Sequence, residues 1–219
     1  MSSSTWLIQQ MPKVHCASLS RLTLAILLLV SGCGKRNPSP TPEATRVEPA
    51  QSTPGVAFNL EGQQVDPFHE GNPSAVVFAF VSIDCPISNR YAPELQRLKE
   101  RFSSRGAAFW LVYPNKSESN EQISDHLKEF RYDIAALRDT DHSLVRRASV
   151  RVTPEVAVFV KDGQLAYHGR IDDRYAELNK DRIQPTTHEL ADALEEVLSG
   201  RQPAITNVPA IGCLIQGSK

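Results

Sequence analysis

Apolar residues follow two rhythms along this chain. Ala75–Ser82 reads AVVFAFVS, an uncharged run rich in β-branched and aromatic side chains, which predicts a strand buried on both faces. Beyond it, Leu95, Leu98 and Phe102 recur at i, i+3 and i+7, the spacing of an amphipathic helix. Ala107–Tyr113 predicts the next strand. Ser119 and Gln122 spell a capping box for a helix that turns Ile123, Leu127 and Phe130 inward. Ile134–Leu137 predicts a short strand and His142–Ala148 a short helix. Glu155–Val160 and Leu165–His168 flank Lys161-Asp162-Gly163, a hairpin signal. Thr186 and Glu189 spell a second capping box, ahead of a helix with Leu190, Leu194 and Val197 on one face and Gly200 at its end. Before all of these, Ala57–Leu60 is a short strand candidate turned by Glu61-Gly62.

Helices placed between strands imply parallel pairing with right-handed crossovers, and the late hairpin adds an antiparallel edge. The predicted class is therefore α/β, a central mixed sheet with helices on both faces, over residues 55–200. Residues 201–219 form a C-terminal tail with two prolines and an apolar end.

The N-terminal rhythm is different. Lys13 and Arg21 precede Leu22–Val30, LTLAILLLV, which is shorter than the ~20 residues a membrane span needs. It has the length of a signal-peptide core, with Met11 as an alternative start. The run ends in VSGC at Cys33, which resembles a bacterial lipobox. That resemblance implies a signal peptide over residues 1–32, removed so that Cys33 carries the lipid. Gly34 stands where an aspartate would hold a lipoprotein at the inner membrane, which points to the outer membrane. Gly34–Pro54 carries five prolines and no apolar period, so residues 33–54 read as a lipidated cysteine and an extended tether. The expected location is extracytoplasmic, on a membrane through the lipid.

Charge narrows the partners. The 24 Lys and Arg nearly balance 25 Asp and Glu, with no basic block, so nucleic acid is not an expected partner. Of four cysteines, Cys16 leaves with the leader and Cys33 is lipidated, which leaves Cys85 and Cys213 in a compartment where disulfides persist.

Cys85 ends the buried strand run, and Pro86 suits a first helical turn because its missing N–H costs nothing there. A helix N-terminus favours the thiolate, the form that attacks disulfides and peroxides, whereas a neighbouring carboxylate, Asp84, opposes it. Four stretches, CPISNRYAPEL, VTPEVAVFVKDG, YHGRIDDRY and the terminal IGCLI, resemble a group of bacterial peroxiredoxin-like redoxins of the thioredoxin fold. The resemblance in fold covers residues 55–200, with IGCLI in the tail beyond it, and implies that Cys85 matches the first cysteine of the thioredoxin pair. Ser88 then stands where the second would be: it cannot resolve a mixed disulfide but can donate a hydrogen bond to the sulfur. The resemblance also implies a cis bond at Thr153-Pro154 facing Cys85, with the Thr153 backbone pairing with an extended substrate.

Cys213 is the remaining protein candidate for the resolving cysteine. A structural disulfide, or a tail cysteine that pairs with another protein, stays open beside it. Arg90 is a candidate to support a thiolate or an anionic substrate, with a solvated helix-face arginine as the plainer reading. Asp172 and Asp173 should face opposite ways as neighbours on an extended chain, and are expected in a loop of ion pairs with Arg170 and Arg174.

Rival chemistries have partial support. Ser82-x-x-Cys85-Pro86 resembles the core of thiol peroxidases, but Phe78 stands where that family has a proline. A copper chaperone of this fold would carry a cysteine at Asn89, and both methionines precede Cys33. No metal or other cofactor is expected. The expectation is thiol–disulfide exchange with protein or small-molecule thiols and disulfides; the alternatives are a peroxidase using Cys85 and a non-catalytic binding module.

Overall fold

A computed structural model describes residues 57–177 and 180–217. The signal peptide, Cys33 and the tether lie outside them. The chain opens with β1 (Ala57–Phe58) and β2 (Gln64–Val65), then β3 (Ala75–Phe80), α1 (Pro86–Arg90), α2 (Ala92–Ser103) and β4 (Ala107–Tyr113). It continues through α3 (Asn120–Glu129), β5 (Ala135–Arg138), α4 (Ser143–Ala148) and β6 (Val152–Thr153) to the hairpin β7 (Glu155–Val160) and β8 (Leu165–Gly169). There follow β9 (Tyr175–Glu177), β10 (Lys180–Asp181), α5 (Glu189–Leu198), β11 (Asn207–Val208) and β12 (Cys213–Leu214).

The main sheet has the order β11-β8-β7-β3-β4-β5-β1-β2. β3, β4 and β5 pair in parallel, β7 and β8 add antiparallel strands, and β11 joins β8 in parallel. The hairpin is therefore not the edge, because the tail supplies one more strand outside it.

Alternation along the central strands explains the layers. Ala75, Val77 and Ala79 face one core cluster with Leu95, Leu98 and Phe102 of α2, Ile123 of α3, and Leu190, Leu194 and Val197 of α5. Val76, Phe78 and Phe80 face a second cluster with Leu144, Val145 and Ala148 of α4. Phe68, Phe78 and Phe159 meet edge to face there, with ring centroids 5.4–5.7 Å apart. Ile215 of the tail is also buried in this second cluster. This mixed sheet, covered on both faces, is an α/β thioredoxin-like fold.

Three local expectations need correction. The helix after Cys85 is two helices that meet at Tyr91, where Pro93 has no N–H to continue a single ladder. Phe130 caps α3 and is only half-buried, whereas His126 takes the inward position. Thr186 does not cap α5, whose N-cap is His188. Its amide and hydroxyl both donate to Asp173 instead, at 2.6 and 2.5 Å.

The expected ion-pair loop is also rearranged. Arg170 pairs with Glu189. Asp172 is buried and accepts from the Tyr91 hydroxyl at 2.5 Å and the Arg174 amide at 2.9 Å. Asp173 accepts from Thr186 and Thr187, with Arg182 at 3.5 Å. Burial pushes the Asp173 pKa up, but these donors and the Arg182 charge outweigh it and bring the carboxyl from an ordinary 3.8 down to about 2.

A depressed folded-state pKa gives stability that is present above the unfolded value and lost as pH falls through the folded one. We therefore expect Asp173→Asn to be less stable than wild type at neutral pH in urea unfolding. The difference should shrink between about pH 4 and pH 2. A difference that stayed constant through that window would show that Asp173 acts by shape and not by charge.

Candidate functional site

Cys85 sits at the C-terminal end of β3, as the N-cap of α1, and is 1% exposed. Its amide donates to Ser82 O at 3.2 Å and its carbonyl accepts from the Asn89 amide at 3.1 Å. Its thiol donates to the carbonyl of Thr153 at 2.9 Å. The Thr153–Pro154 bond is cis. On the other side of Thr153 lies the tail: β12 pairs antiparallel with β6, with Cys213 opposite Thr153 and Leu214 opposite Val152. The Ile215 amide extends the ladder to Arg151 O at 3.0 Å. Cys85 and Cys213 are both free thiols, close enough to shift each other's pKa.

The electrostatics separate the two sulfurs. Burial raises the Cys85 pKa, but hydrogen bonds to the thiolate from Cys213, from the Ser88 hydroxyl and amide, and from the Thr153 side chain outweigh it, and the thiol titrates below its ordinary value. Burial and the neighbouring Cys85 push Cys213 up to about 12. Cys85 is thus the sulfur that ionises first, with Cys213 as a donor to it. Ser88 is fully buried, and its Oγ makes no hydrogen bond beside the protonated Cys85, so a thiolate is the acceptor that would satisfy it. The helix effect expected from sequence reduces to this local contact, because α1 is only five residues long. Asp84 is exposed while Cys85 is buried, and it is not among the main groups that shift Cys85.

A buried polar network holds the loop that carries Cys85. Glu118, 3% exposed, accepts from the Ser82 hydroxyl at 2.7 Å, the Ile83 amide at 3.0 Å and the Asn115 amide group at 3.2 Å. Arg138 stands 3.9 Å from its other oxygen. On α1, the Asn89 side chain donates to Ile83 O at 3.0 Å and meets His126 Nε2 at 2.8 Å, while Tyr113 meets His126 Nδ1 at 2.8 Å. Burial lowers the His126 pKa, which keeps the imidazole neutral in this chain of bonds. The Ser82 hydroxyl, which a peroxidase reading would assign to the substrate, is committed to Glu118. Phe78 is packed in the aromatic cluster.

Sequence reasoning named Cys85, Ser88, Thr153, Pro154 and Cys213, and these residues come together. Arg90 is placed elsewhere. Its guanidinium bonds Tyr175 Oη and Asp181 Oδ2, both at 3.1 Å, on a groove of about 350 Å³ with Pro86, Ile87 and Ile211. A larger groove of about 730 Å³ lies at the far end of β3, beside Val160 and Pro203, and holds no cysteine or histidine. Among the described residues, no three His, Cys, Asp or Glu side chains gather to hold a metal. Reasoning from sequence missed Glu118, Asn89 and His126. Their polar side chains sit between apolar positions that looked like ordinary helix and loop surface.

The redoxin family model matches residues 40–181, more than half of the chain. The chain belongs to the redoxin family. This redoxin is also similar to two solved structures. One is a hypothetical protein of Sinorhizobium meliloti 1021, 25% identical, covering 74% of this chain and 90% of that one, with a TM-score of 0.65. The other is an uncharacterized conserved protein of Geobacillus kaustophilus, 26% identical, covering 77% and 92%, with a TM-score of 0.64. A search of curated proteins gives no match. Redoxin membership supports a thiol redox function.

Because Cys213 and Ser88 donate to the Cys85 sulfur, removing either donor should raise the Cys85 pKa. We expect the ultraviolet titration of the Cys85 thiolate to move to higher pH in Cys213→Ala and in Ser88→Ala. Profiles that stayed in place in both variants would mean that these hydrogen bonds do not favour the thiolate.

Proposed function

We propose that this redoxin is a lipid-anchored, extracytoplasmic thiol–disulfide exchange protein with Cys85 as nucleophile and Cys213 as resolving cysteine. The observation that carries this reading is the placement of Cys213 opposite Thr153 and beside Cys85, across a backbone that contacts both. In the reductive direction, the Cys85 thiolate attacks one sulfur of a substrate disulfide. The other sulfur leaves as a thiolate and takes up a proton. Cys213, deprotonated as it attacks, displaces the remaining substrate sulfur from Cys85 and closes the Cys85–Cys213 disulfide. Two electrons pass from the protein dithiol to the substrate, and an external dithiol returns them. The oxidative direction reverses the same steps.

Ser88 and Thr153 position the sulfur in this scheme. Ser88 stabilises the thiolate before attack, and the Thr153 carbonyl holds the protonated form. Arg90 belongs to the groove beside Pro86, where it orients a substrate and leaves the sulfur to its own donors. Pro154 closes the loop against which both cysteines rest. No helix of the described residues is long and apolar enough to cross a membrane. Anchoring is assigned to Cys33 because VSGC resembles a lipobox.

Glutathione disulfide tests the exchange, with intact mass and peptide mapping at Cys85 and Cys213. Wild type should lose both thiols to an internal disulfide, Cys213→Ser should carry one glutathione on Cys85, and Cys85→Ser should stay unmodified. Two unmodified thiols in the equilibrated wild type would sink the exchange reading. Oxidation of Cys85 by peroxide with no disulfide would favour a peroxidase instead. For the anchor, metabolic labelling with a fatty-acid analogue should tag the wild-type chain and leave Cys33→Ser untagged. Equal labelling of both would rule out Cys33 as the lipid site.

A further inference from the structure

Two needs meet at one backbone edge. A partner polypeptide that added a strand at Thr153 would use the free edge of β6. That edge is taken, because β12 lies on it, with Cys213 opposite Thr153 and the Ile215 amide on Arg151 O. Cys85 beneath is 1% exposed. The groups that surround its sulfur are Ser88, Thr153 and Cys213, and among these only Cys213 belongs to a two-residue strand near the chain end. The arrangement described here is therefore set for the resolving step and closed to the attacking step.

Glycines make this fit possible. A Cβ on Gly212 would stand 2.2 Å from Thr153 O, 2.7 Å from its carbonyl carbon and 3.2 Å from Pro154 N. All of these are backbone atoms of the loop that carries both cysteine contacts, so no side-chain adjustment relieves the clash. Upstream, β11 lies equally close: a Cβ on Gly169, at φ +141°, would stand 2.1 Å from Val208 O. The chain thus approaches the domain at backbone contact twice, and at the second approach the glycine immediately precedes the resolving cysteine. The pair Cys213-Leu214, with the ladder carried on by the Ile215 amide, has the form of a strand-adding substrate: a short paired strand with its cysteine in register with Thr153. Leu214 is 79% exposed, so backbone pairing and Ile215 hold the segment more than the leucine does.

We propose that β12 is a tethered stand-in for an extended, cysteine-bearing segment of a partner polypeptide, seated by Gly212, and that such a partner reaches Cys85 and the β6 edge only when β12 leaves. This rests on the thiol-exchange reading of Cys85 and names its substrate class, an extended polypeptide disulfide. Gly212 is a positioning residue in this scheme. It touches no reacting atom but sets how often the edge is occupied. When the partner has been attacked, β12 returns to the edge and brings Cys213 to the mixed disulfide.

The test uses the full chain in detergent, wild type and Gly212→Ala, with two probes: the disulfide dimer of a hexapeptide copying Ala210–Ile215, and glutathione disulfide. Cys85 alkylation by iodoacetamide should be at least about tenfold faster in Gly212→Ala, because an uncovered sulfur reacts as an ordinary exposed thiol. Exchange with the peptide dimer should rise by more than exchange with glutathione disulfide, while closure of the Cys85–Cys213 disulfide slows. Equal gains for both probes, or wild-type alkylation in a folded variant, would overturn the proposal.

A measurement on wild type alone guards against a misfolded variant. Cys85 alkylation should saturate with reagent at the opening rate of β12, which deuterium exchange at the Ile215 amide reads at high pH once it no longer rises with pH, since both wait for β12 to leave. Alkylation that rises without limit above that rate overturns the proposal independently. If Cys85 alkylates as described but exchanges with neither probe in either protein, the gating by β12 stands and the thiol-exchange reading fails.

Discussion

The carbonyl of Thr153 is the point on which the site depends. It accepts the Cys85 thiol on one side, and its residue pairs with Cys213 on the other. Neither cysteine is held by its own element alone: Cys85 caps a helix of five residues, and Cys213 lies in a strand of two. A pairing that short is weak, since each backbone hydrogen bond contributes about 0.5–1.5 kcal/mol net. Burial of Ile215 in the second core cluster adds about 1.5–3 kcal/mol. The sum is a few kcal/mol, enough to make the docked tail the dominant state. It is also small enough for the tail to leave without unfolding the domain.

The loop that presents Cys85 is held far more firmly. Glu118 is a buried carboxylate with three donors on one oxygen, and Arg138 is too distant at 3.9 Å to form a tight pair with the other. Burying such a group is costly unless its hydrogen bonds are made, so loss of Ser82 or Asn115 would remove one of the three donors that offset that cost. The Asn89–His126–Tyr113 chain ties α1 to α3 and β4 in the same way. Under the proposed exchange, the site would therefore pair a rigidly held Cys85 with a detachable Cys213, and the structural energy is invested on the Cys85 side.

What could be read from sequence follows the range of the interactions. β3 was legible because helices cover both its faces and its composition records that burial. The Ser119–Gln122 capping box was legible because both partners lie within one turn, and it forms with both bonds in place. The Thr186–Glu189 pattern is equally local, yet it fails. Asp173, thirteen positions away, offers Thr186 a charged acceptor that the helix end cannot match. β12 was illegible as a strand, since two residues carry no period and the partner strand is some sixty residues distant. Cys213 could be found by counting cysteines, but nothing in the sequence marks Gly212 apart from its place beside it. The Glu118 and His126 networks were hidden for a similar reason: one buried polar side chain in an amphipathic pattern looks like surface until its partners are known.

Ser88 ties these features together. In a Cys-x-x-Cys motif the fourth position holds the resolver, and both sulfurs sit on one helix turn, so access and resolution share a single geometry. Here that position carries a buried hydroxyl that makes no hydrogen bond to the protein and that favours the Cys85 thiolate. Ser88 can lower the energy of the thiolate but cannot displace a bound substrate. Displacement by a second protein sulfur would therefore come from outside the helix, and among the described residues the backbone that the Cys85 sulfur bonds is the carbonyl of Thr153, on the β6 edge. A resolver that arrives along that edge must use the path of an extended substrate, which makes the two mutually exclusive in space and sequential in time. The serine in the motif, the glycine before Cys213 and the cover over Cys85 are then three consequences of one arrangement, in which the second sulfur arrives by strand pairing.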